Sequence, residues 1–396
     1  MLSLDKVWNA QTVLKNIVRQ TKLVRAYGIA SECELYLKPE NLQITGSFKV
    51  RGSAYKIAML TNEEKKKGVV ACSAGNHAQG VALAATKNGI RSLICLPDSA
   101  PISKVEATKG YGAEVCLVEG CYDDAYAKAL ELRDSEGYTF VHPFDDENVI
   151  AGQGTIALEI LNDLDNIDAI VVPIGGGGLI SGIAYTVKQI RPSVKVYGVQ
   201  AAGAPSMYNS VKDGEIKCLS SVSTIADGIA VKQPGENTFR YVSEYVDEVA
   251  LVTDDEVSSA ILALIEKQKM IAEGAGATAV AAVMFDKFNL KGKRVVAVVS
   301  GGNIDVTSLS RVIDRGLLKS GRSSSLLIEL IDKPGQLKEI SRIIADCGGN
   351  VTGVHYEKGN TESVNGCFLR IEMETKDFEH VNLITKTLRD EGFKLV

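Results

Sequence analysis

The sequence predicts an α/β protein in which two lobes, each built on a parallel sheet, precede a small βαββαβ unit. From Lys67 onward, short β-branched runs alternate with longer alanine-rich segments, which is the pattern of βαβ units. A chain of 396 residues corresponds to two or three domains at roughly 100–200 residues each. Near Ser320 the composition changes to small polar residues, which suit a connector. We expect a two-lobed domain over 1–320 with its smaller lobe at about 50–150, a linker over 321–325 and a separate unit over 326–396.

Two series of strands and helices predict that the parallel sheet is split between the two lobes. The first series has expected strands at 68–73, 91–96, 114–118 and 139–141, and helices at 78–88, 103–109 and 123–136. The second series has expected strands at 168–174, 195–200 and 294–300, and helices at 179–190 and 254–268. Each helix would cross from one strand to its parallel neighbour.

The residues after the linker predict a ferredoxin-like unit. The helix expected at 336–346 carries Leu337, Ile340 and Ile344 at helical spacing. Pro334, in the turn Asp332–Gly335 before that helix, suits a first helical turn. Strands are expected at 324–331, 350–357, 366–373 and 393–396, with a second helix at 378–389. The order βαββαβ is the split ferredoxin-like arrangement, and such a unit is too short to contain the chemistry.

Composition and charge exclude several classes of protein. Hydrophobic residues make up 45% and charged residues 23%, which fits a packed globular chain and neither a disordered nor a coiled-coil one. A net charge of -5 has the wrong sign for binding nucleic acid. The sequence contains no stretch of about 18 uninterrupted apolar residues, so it predicts no membrane span. Eight cysteines without a CxxC pair predict reduced thiols, and four scattered histidines give a metal site little support. We expect a cytoplasmic protein without nucleic-acid, membrane or metal partners.

The stretch from Pro39 to Gly52 contains a lysine, Lys49, between the apolar residues Phe48 and Val50. Such a lysine is unusual on a solvated surface. A lysine removed from water has a lowered pKa, which is what a Schiff-base nucleophile requires. A surface lysine beside the start of a helix remains the alternative interpretation.

Two strand-to-helix turns are rich in small residues. One contains Ser73-Ala74-Gly75-Asn76-His77, and the other is Gly175-Gly176-Gly177-Gly178-Leu179. Backbone N–H groups and the helix dipole at such turns bind a phosphate or a carboxylate. Four consecutive glycines indicate close approach of backbone to a ligand, yet their spacing fails the G-x-G-x-x-G pattern of dinucleotide-binding proteins. A flexible turn is the alternative in both places.

Ser300 completes the set of candidate site residues. It ends the last expected strand of the large domain and precedes Gly301-Gly302-Asn303, so its hydroxyl is expected at the carboxyl edge of the sheet, where ligands bind in open α/β folds. An ordinary turn is the alternative interpretation. An activated lysine, two anion-binding turns and this hydroxyl together predict a phosphorylated ligand with a carbonyl group. Pyridoxal 5'-phosphate meets both requirements.

These stretches closely resemble the threonine dehydratases (threonine ammonia-lyases), which belong to the tryptophan-synthase-β-like group, fold type II, of pyridoxal-phosphate enzymes. The resemblance covers about residues 1–320, through Glu40–Gly52, Ser73–Gly80, Gly175–Gly178 and Ser300–Asn303. The C-terminal βαββαβ unit looks like an ACT domain, a module that commonly binds amino acids. The whole chain is similar to the medium-length form with a single ACT domain.

The resemblance implies a role for each motif residue. Lys49 would be the Schiff-base lysine and general base, Asn76 the partner of the cofactor's phenolic oxygen, and Ser300 the residue facing the pyridine nitrogen. Phe48 would pack beneath the ring. The phosphate would bind at Gly175, Gly176, Gly177, Gly178 and Leu179, and the substrate carboxylate at Ser73, Ala74, Gly75, Asn76 and His77. Glu273 lies in a stretch similar to family sequence near the cofactor, and its role stays open.

The implied reaction is dehydrative deamination of L-threonine to 2-oxobutanoate and ammonia, and of L-serine to pyruvate. A serine racemase or serine dehydratase of the same fold is the main alternative. The racemases have a serine where this chain has Ala74, and Gln200 and Ser206 stand where their metal-binding carboxylates are expected. A nicotinamide dehydrogenase is disfavoured by the failed glycine pattern, and a non-catalytic amino-acid sensor would leave Lys49 unexplained.

The C-terminal unit implies assembly and control. A small sheet with an uncovered face and edge buries little surface by itself, so we expect pairing with a second copy in a homodimer or homotetramer. The segments Asp332–Gly335 and Gly348–Asn350 would offer backbone N–H groups to an amino-acid effector such as isoleucine or valine. The implied setting is amino-acid metabolism, with isoleucine biosynthesis as the expected pathway; a purely structural dimerisation domain is the alternative.

Overall fold

The structure, a computed structural model, describes residues 1–358 and 366–396. It divides the chain into two units, Met1–Asp305 and Val306–Val396. None of the described helices is long and apolar enough to cross a membrane.

The first unit contains twelve helices and ten strands within the described residues. Up to the end of its smaller sheet these are α1 (Leu4–Leu14), β1 (Val24–Arg25), β2 (Glu34–Pro39), α2 (Lys49–Ala58), α3 (Asn62–Lys67), β3 (Val69–Cys72), α4 (Asn76–Lys87), β4 (Ser92–Pro97), α5 (Ile102–Gly110), β5 (Glu114–Val118), α6 (Tyr122–Glu136) and β6 (Thr139–Phe140). The others are α7 (Glu147–Asp163), β7 (Ala169–Pro173), α8 (Gly178–Ile190), β8 (Lys195–Ala201), α9 (Ser206–Asp213), α10 (Glu236–Tyr245), β9 (Glu248–Val252), α11 (Asp254–Ala263), α12 (Gly274–Met284) and β10 (Arg294–Val299). Short 3₁₀ turns lie at Glu40–Leu42 and Asp227–Ile229.

The smaller sheet is parallel, with the strand order β5-β4-β3-β6. All four residues of β3 are buried, because helices cover a parallel sheet on both faces and its strands become continuous apolar runs. Val69 and Ala71 pack into a core with α2 and α4, whereas Val70 and Cys72 pack into a second cluster with α6. The carboxyl end of β3 leads directly into the turn before α4.

The larger sheet has the order β1-β2-β10-β7-β8-β9, and only β1 runs antiparallel to its neighbour. Its central strands β7 and β10 are almost entirely buried. The turn Ile174–Gly177 follows β7 and the segment from Ser300 follows β10, so both leave the same edge of the sheet. The predicted division of a parallel sheet between two lobes is confirmed.

Several helices of the first unit were not predicted from the sequence, and two of them, α7 and α12, are buried on all sides. Residues Val149 to Leu161 of α7 are all buried, and so are residues Gly274 to Val283 of α12. A helix without a polar face has no 3.6-residue hydrophobic period, which is the signal that predicts helices from sequence. The helix expected at 254–268 is α11 followed by a π-helical turn at Leu264–Gln268.

The second unit begins with a helix and continues as a four-stranded antiparallel sheet with two further helices. Its elements are α13 (Val306–Lys319), β11 (Ser323–Ile331), α14 (Gln336–Asp346), β12 (Asn350–Lys358), β13 (Gly366–Glu374), α15 (Phe378–Asp390) and β14 (Lys394–Leu395). The strand order β12-β13-β11-β14 is that of a ferredoxin-like sheet, as the sequence predicted. Ile328 and Ile371 of the sheet pack with Ile340, Ile344 and Leu388 of the helices.

Candidate active site

Lys49 is the first residue of α2 and lies partly buried. Its Nζ donates a hydrogen bond to the carbonyl of Pro143 at 2.8 Å and lies 5.3 Å from the centre of the Phe48 ring. Burial lowers the pKa of Lys49 to about 8, and the negative charge of Glu273 opposes this shift only in part. The neutral amine, which is the nucleophilic form, is therefore appreciably populated near neutral pH.

The residues before Lys49 are bound to the segment that follows β10. The amide of Phe48 donates to the carbonyl of Ser300 at 3.1 Å, and Ser47 forms an antiparallel bridge with Gly301. Ser300 is buried, and its hydroxyl has no hydrogen-bond partner among residues 1–358 and 366–396. The structure thus brings a reactive amine and an unpaired hydroxyl to one edge of the larger sheet.

The four glycines form the turn between β7 and α8. Gly177, with φ +99°, caps the helix in a left-handed conformation, and the amides of Gly178 and Leu179 open its first turn. Amides in a first turn have no acceptor within the helix and lie at the positive end of its dipole, so they suit a phosphate. The side chain of Leu179 is buried in the core and leaves only its amide for a ligand.

Close packing against neighbouring residues is a second reason why glycines occupy this turn. A Cβ atom on Gly176 would lie 2.4 Å from the Phe144 ring, and one on Gly178 would lie 2.8 Å from the Phe144 carbonyl. Phe144 follows Pro143, which accepts the hydrogen bond from Lys49. The segment 143–144 therefore lies between the lysine and the glycine turn, and a side chain on Gly176 or Gly178 would displace it.

The turn Ser73–Gly75 joins β3 to α4, and these residues and Asn76 are all partly buried. The Ser73 hydroxyl accepts from the Gly75 amide at 3.1 Å, which fixes the turn. The helix begins at Asn76, so its first amides, like those of α8, suit an anion such as a carboxylate. Ala74 presents only a methyl group, partly packed against the core.

The ring of His77 turns away from this site. Its Nε2 bonds to the Val141 carbonyl at 2.8 Å and its Nδ1 to the Ser53 hydroxyl at 3.4 Å. Burial and the nearby charge of Lys49 lower the pKa of His77 to about 3, so the ring stays neutral. Only the His77 backbone can take part in the predicted carboxylate loop.

Asn76 belongs to a hydrogen-bond chain that the motifs did not reveal. Its Nδ2 donates to Glu273 Oε1 at 2.7 Å, and its Oδ1 accepts from Asn303 Nδ2 at 2.8 Å. Asn303 Nδ2 also donates to the Thr45 carbonyl at 2.7 Å, and the Glu273 amide donates to the Gly301 carbonyl at 3.1 Å. One signal in the sequence was available: Glu273 is a lone carboxylate immediately before α12, a helix without charged residues.

These residues fit pyridoxal 5'-phosphate. The amine of Lys49 suits its carbonyl carbon, the glycine turn suits its phosphate, and the unpaired Ser300 hydroxyl suits its ring nitrogen. All three features follow the carboxyl ends of parallel strands or are bonded to residues that do. Among the described residues, no group of three or more His, Cys, Asp or Glu side chains could hold a metal ion.

Comparison with known proteins agrees with this geometry. Residues 14–301 match the family model described as pyridoxal-phosphate dependent enzyme. The chain is 48% identical over 399 residues to the L-threonine ammonia-lyase of Thermotoga maritima, covering 100% of this chain and 99% of that protein. The processed form of threonine deaminase isoform 2 from Solanum lycopersicum is similar in structure, with a TM-score of 0.76, 37% identity, and coverage of 80% of this chain and 90% of that one.

Maize serine racemase is similar too, with a TM-score of 0.75, 34% identity, and coverage of 80% of this chain and 98% of that one. The tomato and maize proteins share the fold of this chain, but their names state two different reactions. The match to the family model and the identity along the full chain agree with the cofactor that the site geometry indicates. The chain belongs to the pyridoxal-phosphate dependent enzyme family.

Proposed function

We propose that the protein is a threonine ammonia-lyase, which converts L-threonine to 2-oxobutanoate and ammonia and acts in the same way on L-serine to give pyruvate. The observation that carries this proposal is Lys49, an amine with a pKa lowered to about 8 beside Ser300 and the glycine turn. The full-length similarity to an L-threonine ammonia-lyase supports the choice of substrate.

Each residue of the site has a task in this reaction. When bound, pyridoxal 5'-phosphate withdraws electrons from the α-carbon of an amino acid attached to its carbonyl carbon. Lys49 would hold the cofactor in the absence of substrate, and its neutral amine would remove the α-proton of bound substrate as general base. The amides at the start of α8 would hold the phosphate, and those of Ser73 to His77 would orient the substrate carboxylate. Phe48 would pack against the cofactor ring, and Asn76 would contact its phenolic oxygen.

Ser300 determines how strongly electrons are withdrawn. A hydroxyl group can hydrogen-bond to the pyridine nitrogen but, unlike a carboxylate, does not hold a proton there. Moderate electron withdrawal favours rapid loss of the β-hydroxyl over other fates of the α-carbon. The β-hydroxyl takes up a proton and leaves as one water; the released enamine becomes an imine, which one water hydrolyses, so that threonine is converted to one 2-oxobutanoate and one ammonia.

The test is product stoichiometry. Purified protein supplied with pyridoxal 5'-phosphate and L-threonine should form 2-oxobutanoate and ammonia in equal amounts. Protein that binds the cofactor yet forms neither product would refute the proposal.

Racemisation of serine is the second candidate, because the fold matches that of maize serine racemase. It requires a proton-transferring group on the face of the ring opposite Lys49. Ala74, at the corresponding turn, has only a methyl group. Incubation with L-serine should therefore give pyruvate with little D-serine.

The C-terminal unit is proposed to be an ACT domain that controls the enzyme. We propose that residues 1–320 carry catalysis and residues 326–396 carry control; the linker expected at 321–325 overlaps the start of β11, and the second unit already begins at Val306. Gly335 and Gly348, with φ of +94° and +89°, form turns at the two ends of α14, and these turns would receive isoleucine or valine. The edge strand β12 would pair with a second copy in a homodimer or homotetramer. A cytoplasmic enzyme of isoleucine biosynthesis fits such control.

A further inference from the structure

Glu273 is a buried carboxyl group that the proposed reaction does not use. It is 5% exposed and caps the start of α12. Its Oε1 accepts from Asn76 Nδ2 at 2.7 Å, and a Cβ atom on Gly301 would lie only 2.3 Å from the same oxygen. The carboxyl group is therefore enclosed between Asn76 and Gly301, the residue that follows Ser300.

The contact with Glu273 fixes the orientation of the Asn76 amide. Asn76 Oδ1 is occupied by the N–H of Asn303, and one of its two Nδ2 hydrogens is occupied by Glu273. An Asn side chain has two donor hydrogens, so one hydrogen remains for a ligand. A reversed amide would place two acceptors together at Glu273 and two donors together at Asn303. The two neighbours thus select one orientation of Asn76.

Charged groups from three other elements face Glu273. The negative charge of Asp227, in a 3₁₀ turn, favours the protonated form of the carboxyl group, and the positive charge of Lys104, in α5, opposes this effect. Lys104 and Asp227 also form an ion pair at 2.9 Å. Lys49, in α2, interacts with Glu273 as well, because the carboxylate charge favours the protonated amine.

Burial is the largest influence on this carboxyl group. It raises the pKa of Glu273 to about 7, Asp227 adds to the shift, and the hydrogen bonds from Asn76 and from the Asn303 amide oppose it. Glu273 thus changes its charge within the range in which a metabolic enzyme works. Below that pH it is a neutral group, and above it a carboxylate that binds the Asn76 N–H more strongly.

We propose that Glu273 is a positioning residue that orients the Asn76 amide toward the cofactor's phenolic oxygen and, by gaining or losing its own proton, sets the charge beside that contact. This inference rests on the proposed function, because it requires Asn76 to touch the cofactor. When Glu273 is ionised, Asn76 is held firmly and the protonated form of Lys49 is favoured. When Glu273 is protonated, the hydrogen bond from Asn76 is weaker and the negative charge near Lys49 is absent.

The experiment is a pH titration of the visible absorption of the cofactor-loaded protein, which measures the ring environment without measuring turnover. The wild-type spectrum should change in a step near pH 7. Glu273→Gln keeps an oxygen that can accept from Asn76 but cannot ionise, so the step should disappear. Glu273→Asp should retain a step. Glu248→Gln, at the exposed start of β9, is the matched control and should behave as wild type.

A second variant keeps the proposal testable if Glu273→Gln does not fold. Asp227→Asn removes a negative charge that raises the pKa of Glu273, so the step should move to lower pH. A step that stays unchanged in Glu273→Gln, or an unshifted step in a folded Asp227→Asn protein, overturns the proposal. Either result in a protein that still converts threonine leaves the proposed function intact. A wild-type protein that binds the cofactor without converting threonine refutes the proposed function instead.

Discussion

The change Arg51→Met tests the buried ion network beneath the proposed catalytic lysine. Arg51 is 1% exposed and donates two hydrogen bonds to Glu40, both at 2.8 Å. It donates two more to Glu159, at 2.7 and 2.9 Å, and one to Thr155 at 3.2 Å. Lys38 also pairs with Glu159, so two cations balance two anions. Because Arg51 lies two residues after Lys49 in α2, this network also anchors the helical turn that carries the lysine.

Methionine retains an apolar stem of similar length but removes every donor. It leaves Glu40 without its cationic partner in a fully buried position and leaves Glu159 with Lys38 alone. Removing one member of a buried ion pair costs about 3–5 kcal/mol, because the remaining charge keeps its desolvation penalty. We expect a loss of this size, which is a large fraction of the stability of a typical domain.

The loss should depend on pH. Burial alone would raise the pKa of Glu40, but Arg51, through its charge and hydrogen bonds, acts together with Lys38 and Thr21 to hold this pKa below its ordinary value. A carboxyl group whose pKa is lowered on folding adds stability above its unfolded pKa and loses that contribution as the pH falls through its folded pKa. The difference in the free energy of unfolding between wild type and Arg51→Met should therefore have its full size at pH 7 and become smaller in acid.

Urea unfolding followed by tryptophan fluorescence measures this difference in the first unit, since Trp8 in α1 is the only tryptophan. Arg91→Met is the matched control, because it breaks a similar two-bond pair with Glu114 that is more than half exposed. The control should cost less than about 1 kcal/mol. Equal losses in the two variants at pH 7 would show that the buried network does not stabilise the unit as reasoned here.

Three further predictions concern the cofactor, the substrate and the effector. Ser300→Ala should weaken cofactor binding by about 1–3 kcal/mol, measured by equilibrium dialysis, because the ring nitrogen loses its buried partner; unchanged affinity would place Ser300 elsewhere. Ala74→Ser should raise the proportion of D-serine formed from L-serine, and chiral chromatography that finds no increase contradicts the assignment of that turn. Millimolar isoleucine or valine should shift the threonine saturation curve of the full chain, and threonine should reciprocally weaken effector binding; superimposable curves would exclude amino-acid control.

The sequence predicted those parts of the fold where a local pattern is retained in the folded chain. The strand β7 followed by four glycines and the apolar start of α8 is such a case, because strand, turn and helix each have their own composition. The same holds for the βαββαβ order of the second unit. The helices α7 and α12 were missed because complete burial removes the polar face that makes a helical period visible.

For the site, sequence reasoning could place residues on turns but could not orient their side chains. From the sequence, Gly176 was explained only by the close approach of a ligand. The structure shows that a Cβ atom on Gly176 would also clash with the ring of Phe144. His77 lies at the expected helix start, yet its ring bonds inward to Val141. The contact between Asn76 and Glu273 joins residues 197 positions apart, and no pattern along the chain reports such a pair.

The central claim is that Lys49 holds the cofactor and acts as the base in threonine elimination. The measurement that tests it most directly compares Lys49→Ala with Lys66→Ala, a control at an exposed lysine of α3, by visible absorption and by 2-oxobutanoate formation from L-threonine. Lys66→Ala should match wild type in both. Lys49→Ala should be folded, lack the visible band of the lysine-bound cofactor and form no 2-oxobutanoate above background; substantial 2-oxobutanoate from a soluble Lys49→Ala protein would contradict the account.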